Sequence, residues 1–344
     1  MALRGDAMTR KGHRPPWIQE QSLKHNGRPD ARQPSLIANV GGGRLQYSSE
    51  LPKGETVGIR LPQSLETSVG RYVRRGNFFV DGWLSSAAAV TICTLSQRQR
   101  ELDVAGGVAE IGIHHGKLFI LLYLLSQAPE KAVAIDVFED QHLNVDSSGR
   151  GDLRIFRSNI ERHADSTRLV VHKGTSLAVT GSDVVRMAEG KVRLFSVDGG
   201  HTEEITENDL AIADEALDEG GIIVVDDVFN DLFPGVTNGV HRYFARKPNL
   251  VPFAVGANKT YFCRLPYAAK YRETAATAAV ETRSQNFFGF PIAVLDFRRP
   301  TLQNRITRSD AWTGLRATPA GSALRRIWRT GDNMRRRLKR REIA

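Results

Sequence analysis

Residues 192–202 read VRLFSVDGGHT and residues 220–230 read GGIIVVDDVFN. Each opens as a mostly apolar run of strand length and breaks off in acid, at Asp198 in the first and at the adjacent Asp226 and Asp227 in the second. A strand apolar along most of its length is one covered on both faces, as in a parallel sheet between two layers of helix. Working outward, short β-rich runs recur at 106–111, 132–136 and 168–172, with longer amphipathic runs at 115–127, 151–163, 182–189 and 203–219 between them. Alternation of this kind means right-handed βαβ crossovers. The fold class expected is α/β, a doubly wound mostly parallel sheet. A helix over 81–102 (Trp83, Leu84, Ala87, Ala88, Ile92, Leu95) packs on it, another lies near 236–246, and LVPFAVG (250–256) and KTYFCR (259–264) make a terminal antiparallel hairpin around Ala257 and Asn258. No repeat of 20 to 50 residues is visible.

The chain has 344 residues, 41% of them hydrophobic, which is enough for one large domain with extensions. Its net charge of +10 is unevenly placed. Residues 1–75 carry 13 Lys/Arg against 6 Asp/Glu and residues 298–344 carry 14 against 3, whereas 76–297 carry 21 against 29. An acidic body with basic ends argues against a sequence-specific nucleic-acid reader and for an enzyme-like core. Cys93 and Cys263 belong to no CxxC or Cys/His cluster, so no disulfide framework or zinc site is expected and a reducing, cytoplasmic setting is. The amino terminus has no apolar run like a signal peptide's, and the apolar stretch 118–126 is too short to span a bilayer.

In an open α/β sheet, ligands sit outside the carboxyl ends of the strands. The first strand ends Glu110-Ile-Gly112-Ile-His-His115-Gly116-Lys117 and leads into a helix whose free N–H groups suit a carboxylate. The spacing is not GxGxxG, so the dinucleotide fingerprint is absent. The second strand ends in Asp136, where an acid commonly accepts ribose hydroxyls. Taken singly, these are also ordinary turn and cap residues. If the strands ending at Asp198 and Asp226 are neighbours, three carboxylates converge, and such a group needs a cation or protons; an all-oxygen set suits Mg²⁺. The alternative is that Asp198 caps the next helix while Asp226 and Asp227 only begin a loop. His201, three residues past Asp198, faces the same opening and is a candidate general base, its ring kept neutral by a neighbouring cation.

Residues 106–264 resemble the class I S-adenosylmethionine-dependent methyltransferases: EIGIHHG, AID136VF, FSVDGGH and GGIIVVDDVFN follow in that family's order. The branch they look most like is the metal-dependent sugar O-methyltransferases of the macrocin and mycinamicin type. The resemblance implies Mg²⁺ held by Asp198, Asp226 and Asp227, with Asp198 and His201 as catalytic residues. It also implies S-adenosylmethionine held by Glu110, Gly112, His115, Gly116, Asp136 and, at the adenine side, Ser176. A phenolic acceptor and a catalytically silent binding protein are the competing readings. The polar loop 141–152 has no counterpart in the pattern.

The division expected is 1–70 as a mostly disordered basic extension, 71–105 as a helical cap, 106–270 as the methyltransferase domain and 271–344 as a carboxyl-terminal extension. In the tail, Leu324, Ile327, Trp328, Met334 and Leu338 fall on one helical face among nine Lys/Arg, the pattern of a helix lying on an anionic membrane surface, though Gly331 interrupts it and a solvated tail reads equally well. The partners expected are a small-molecule or glycan acceptor, that membrane surface, and a second copy of the chain.

Overall fold

A computed structural model describes residues 61–62, 65 and 67–298. The tail helix expected around 324–338 and most of the extension expected over 1–70 lie outside the described residues. Two helices, α1 (Thr67–Arg74) and α2 (Ser86–Glu101), precede the first strand. Helix α2 starts at Ser86 and not at 81 because Ser85 caps it, its hydroxyl accepting from Ala88 N at 3.1 Å. Then β1 (Gly107–Ile111), α3 (Lys117–Leu125), β2 (Ala132–Asp136), α4 (Leu153–His163), β3 (Leu169–Lys173), α5 (Gly181–Met187), β4 (Val192–Val197), α6 (Glu203–Ala216), β5 (Leu217–Asp226) and α7 (Pro234–Ala245) alternate as the patterning predicts. The end of α6 comes earlier than expected. Residues 217–219, expected to be helical, already belong to β5, where Leu217 pairs with Val192 of β4.

The hairpin β6 (Leu250–Gly256) and β7 (Lys259–Arg264) matches its expected bounds. Beyond it the chain continues as α8 (Leu265–Ala278) and a second hairpin, β8 (Glu281–Phe287) and β9 (Phe290–Asp296), so the boundary expected at 270 falls inside a helix. The nine strands form one sheet in the order β3-β2-β1-β4-β5-β7-β6-β9-β8. The first five are parallel, β7 is antiparallel to β5 and to β6, and β9 is parallel to β6.

Helices cover both faces. One core gathers side chains of α1, α2, α3, α4 and α8, and the other gathers those of α5, α6 and α7. Helix α3 is apolar all round (KLFILLYLL) and every residue from Leu118 to Leu125 is buried, which a helix without a polar face demands. Strand order reverses between β1 and β4, and that is where the crevice at the strands' carboxyl ends opens. Among the described residues, no helix is long and apolar enough to cross a membrane.

Candidate active site

The loop from β1 into α3 is held against the end of β4. Gly112 has φ +89°, and a Cβ there would lie 1.7 Å from the Asp198 carbonyl oxygen, so only glycine permits this approach. Gly116, also at φ +89°, precedes α3, where a Cβ would strike the ring of Phe156. Asp136 closes the same loop from β2. Its Oδ2 accepts from Ile113 N (2.5 Å) and His114 N (2.8 Å), and its Oδ1 from Phe138 N (2.5 Å). Three of about four lone-pair positions are thus taken by backbone, leaving one and not two for a ribose. Burial raises the Asp136 carboxyl above its ordinary range, against those three hydrogen bonds.

Glu110 faces away from solvent, 2% exposed, with its Oε2 lacking a hydrogen-bond partner. Burial and then the Asp198 charge push its carboxyl well up. His115 stacks on His114 with ring centroids 4.0 Å apart, and Nδ1 of each is buried without a hydrogen bond. Ser176 is buried, bonded through its hydroxyl to Asp209, and its carbonyl accepts from Asn208 at 3.4 Å.

At the ends of β4 and β5 the acids divide. Ligand atoms of Asp198, His201 and Asp227 lie within 4.8 Å of one another, close enough to share a metal ion. Asp226 is not among them. It stands directly opposite Lys259 across the β5–β7 ladder, and the two make a buried ion pair, with Asn258 Nδ2 adding a bond to Asp226 Oδ1 at 3.0 Å. Of the three acids expected to hold Mg²⁺, Asp198 and Asp227 stand together with His201, while Asp226 is turned to the Lys259 ammonium. Asp227, at φ +61°, turns the other way and accepts from Asn230 (2.5 Å) and Asn258 (2.7 Å). Burial, then repulsion from Asp226, pushes the Asp198 carboxyl well above the usual range despite Lys259.

His201 precedes α6, whose cap is Thr202. Its ring stacks on Phe233 with centroids 3.8 Å apart. Nδ1 lies 2.7 Å from Asp146 Oδ2 and Nε2 lies 3.5 Å from Asp227 Oδ2. Burial alone would disfavour the imidazolium, but hydrogen bonds to Asp146 and Asp227 outweigh it and lift the ring to about 10. The neutral ring expected from the sequence presumes a cation beside it; among these residues alone, two carboxylates flank the ring and favour the imidazolium.

Three residues escaped the sequence reading. Lys259 opens a strand as its lone charge before Arg264, and the hairpin register alone would have put it opposite Asp226. Asp209 is fully buried on α6, its Oδ2 without a hydrogen-bond partner and directed at Gly199, with burial pushing its carboxyl up to about 7. Asp146 sits in the unassigned 141–152 loop and no local signal marks it. A narrow cleft of about 10 Å³ behind the β4–α6 loop, about one water in size, is lined by Asp198, His201, Asp209 and Asp226 among others.

Residues 109–228 match the family described as a methyltransferase domain. That matched stretch, from β1 to just past β5, is similar to a methyltransferase domain. The solved O-methyltransferase NovP is similar in fold at 15% identity and TM-score 0.43, over 56% of this chain and 88% of that one. CalS11, a TDP-rhamnose 3'-O-methyltransferase, is similar at 16% identity and TM-score 0.41, over 57% and 86%. TomG from Streptomyces achromogenes is similar at 17% identity and TM-score 0.40, over 57% and 87%. No curated protein sequence matches the chain. The β1–α3 loop fits the amino-acid end of S-adenosylmethionine at Glu110, whose unpartnered oxygen would satisfy an ammonium. One imidazole and two carboxylates likewise fit a divalent cation, with Mn²⁺ or Fe²⁺ suiting the nitrogen as well as Mg²⁺ suits the oxygens.

Proposed function

We propose that the chain is a divalent-metal-dependent O-methyltransferase acting on a hydroxyl of a sugar or glycosylated acceptor. The observation that carries this reading is the convergence of Asp198, His201 and Asp227 at the strand ends beside the Gly112 loop. A sulfonium methyl is already electrophilic, so what the protein must add is in-line placement and an acceptor able to lose its proton. Gly112, Gly116 and the backbone tied by Asp136 place the cofactor, with Glu110 toward its amino group. Asp198 and Asp227 would hold the cation beside His201, and the cation would supply Lewis acidity toward a bound hydroxyl. His201 Nε2 faces that pair, and once the carboxylate charge beside it is offset the ring can accept a proton there. The sugar preference rests on the likeness of the VDGGH and VVDD segments to that branch of the family.

Calorimetry of the full chain with S-adenosylmethionine, followed by methyl transfer from labelled cofactor to a panel of sugar nucleotides, glycosides and phenols, tests this. Turnover on a glycoside that EDTA abolishes and Mg²⁺ or Mn²⁺ restores is expected, with cofactor affinity little changed by the chelator. Full turnover after thorough chelation, or transfer to phenols alone, sinks the proposal.

A further inference from the structure

We infer that Asp146 is a positioning residue that keeps a proton on His201 Nδ1 and so turns Nε2 toward Asp198 and Asp227. One oxygen, Asp146 Oδ2, lies 2.7 Å from both the backbone N and the ring Nδ1 of His201. The backbone nitrogen can only donate, and an ionised carboxylate can only accept, so the ring nitrogen that shares this oxygen is an N–H donor. Nε2 is then the nitrogen left to face Asp227, at 3.5 Å. Rotating the ring by half a turn would put a carbon against Asp146 and lose that bond, while the Phe233 ring stacked on the imidazole at an interplanar angle of 17° holds its plane.

Asp146 is itself fixed. Its other oxygen accepts from Ser148 N at 2.9 Å, and the loop around it is closed by Asn144 Nδ2 donating to Gly149 O at 3.1 Å. Asp146 and His201 are 55 residues apart and leave different strand ends, so the contact binds the 141–152 loop to the β4 terminus. A metal-binding or proton-accepting imidazole usually has its second nitrogen held in this way by a carboxylate. What Nε2 then does rests on the function proposed above, whereas the Nδ1 proton does not.

The test is proton–nitrogen NMR of the metal-free full chain labelled with ¹⁵N-histidine, with His201→Gln assigning the signal. The parent is expected to show a downfield, slowly exchanging Nδ1–H proton from His201. Asp146→Ala, with its fold verified by circular dichroism, should lose it. Asp146→Asn, which keeps an acceptor oxygen without charge, should shift it upfield and provides the reading if the alanine variant does not fold. A parent without the resonance, or a folded variant in which it is unmoved, overturns the inference. Mg²⁺ and S-adenosylmethionine titrations of the parent are read separately: failure to bind either defeats the proposed function and leaves the Nδ1 result to stand or fall by itself.

Discussion

Lys259 shows how one side chain fixes the chemistry of its neighbours. Its ammonium, 3% exposed, pairs with Asp226 and lies near enough to Asp198 and Glu110 to oppose, without overcoming, the burial that raises their carboxyls. Desolvation works against the ammonium, yet Asp226 and Asp198 keep it firmly protonated. Lys259→Met should therefore cost about 3–5 kcal/mol in denaturant unfolding, the scale of stranding a buried charge, and adding Asp226→Asn should recover much of it. Asp209 makes the opposite case. Its carboxyl titrates at about 7 when folded, above the ordinary aspartate value, so folding favours the protonated form. The stability this contributes is complete below about pH 4 and is lost as pH rises toward 7, at roughly 1.4 kcal/mol per pKa unit. Asp209→Asn should thus gain on the parent between pH 5 and pH 8 in urea unfolding; equal differences at both pH values would refute the assignment.

At the level of elements, Arg193 of β4 ties the helical cap to the sheet. Its guanidinium, 1% exposed, donates to Ser96 (3.1 Å) and Gln99 (2.9 Å) on α2, to the Leu125 carbonyl (2.8 Å) at the end of α3, and to Glu130 (3.2 Å). Arg193→Leu leaves these acceptors without it and should lower stability by about 3–5 kcal/mol. Arg242→Ala, which breaks surface pairs with Glu203 and Glu204 and a contact with Glu207 that Arg246 also makes, should shift the midpoint of a thermal scan far less than Arg193→Leu does. The sequence reading located β1 to β7 because each is a compact apolar run ending in a turn or an acid. It missed β8 because ETRSQNF is almost wholly polar, as an exposed edge strand is, and because Phe288-Gly289, both at positive φ, is not one of the usual hairpin pairs. At the site, Asp198, His201 and Asp227 were readable from strand ends. The Lys259 pairing and the Asp146 contact were not, since each depends on which distant segments fold side by side.

For the whole molecule, the match to known methyltransferase domains spans 109–228, while the sheet runs on to Asp296 and the cap begins at Thr67. Helix α3 lies inside the matched span, yet part of its apolar surface is covered from outside it, by α1 and α2. The Tyr72 hydroxyl donates to the carbonyl of Lys117 at 2.6 Å and fastens that cover at the helix start. A fragment of residues 106–297 is expected to be recovered mainly as aggregate on expression, whereas 61–298 should stay monodisperse in size-exclusion chromatography; equal solubility of the two would contradict this. A helix with no side fit for water thus makes the unit that must be inherited, cut or fused intact longer than the unit that carries the chemistry.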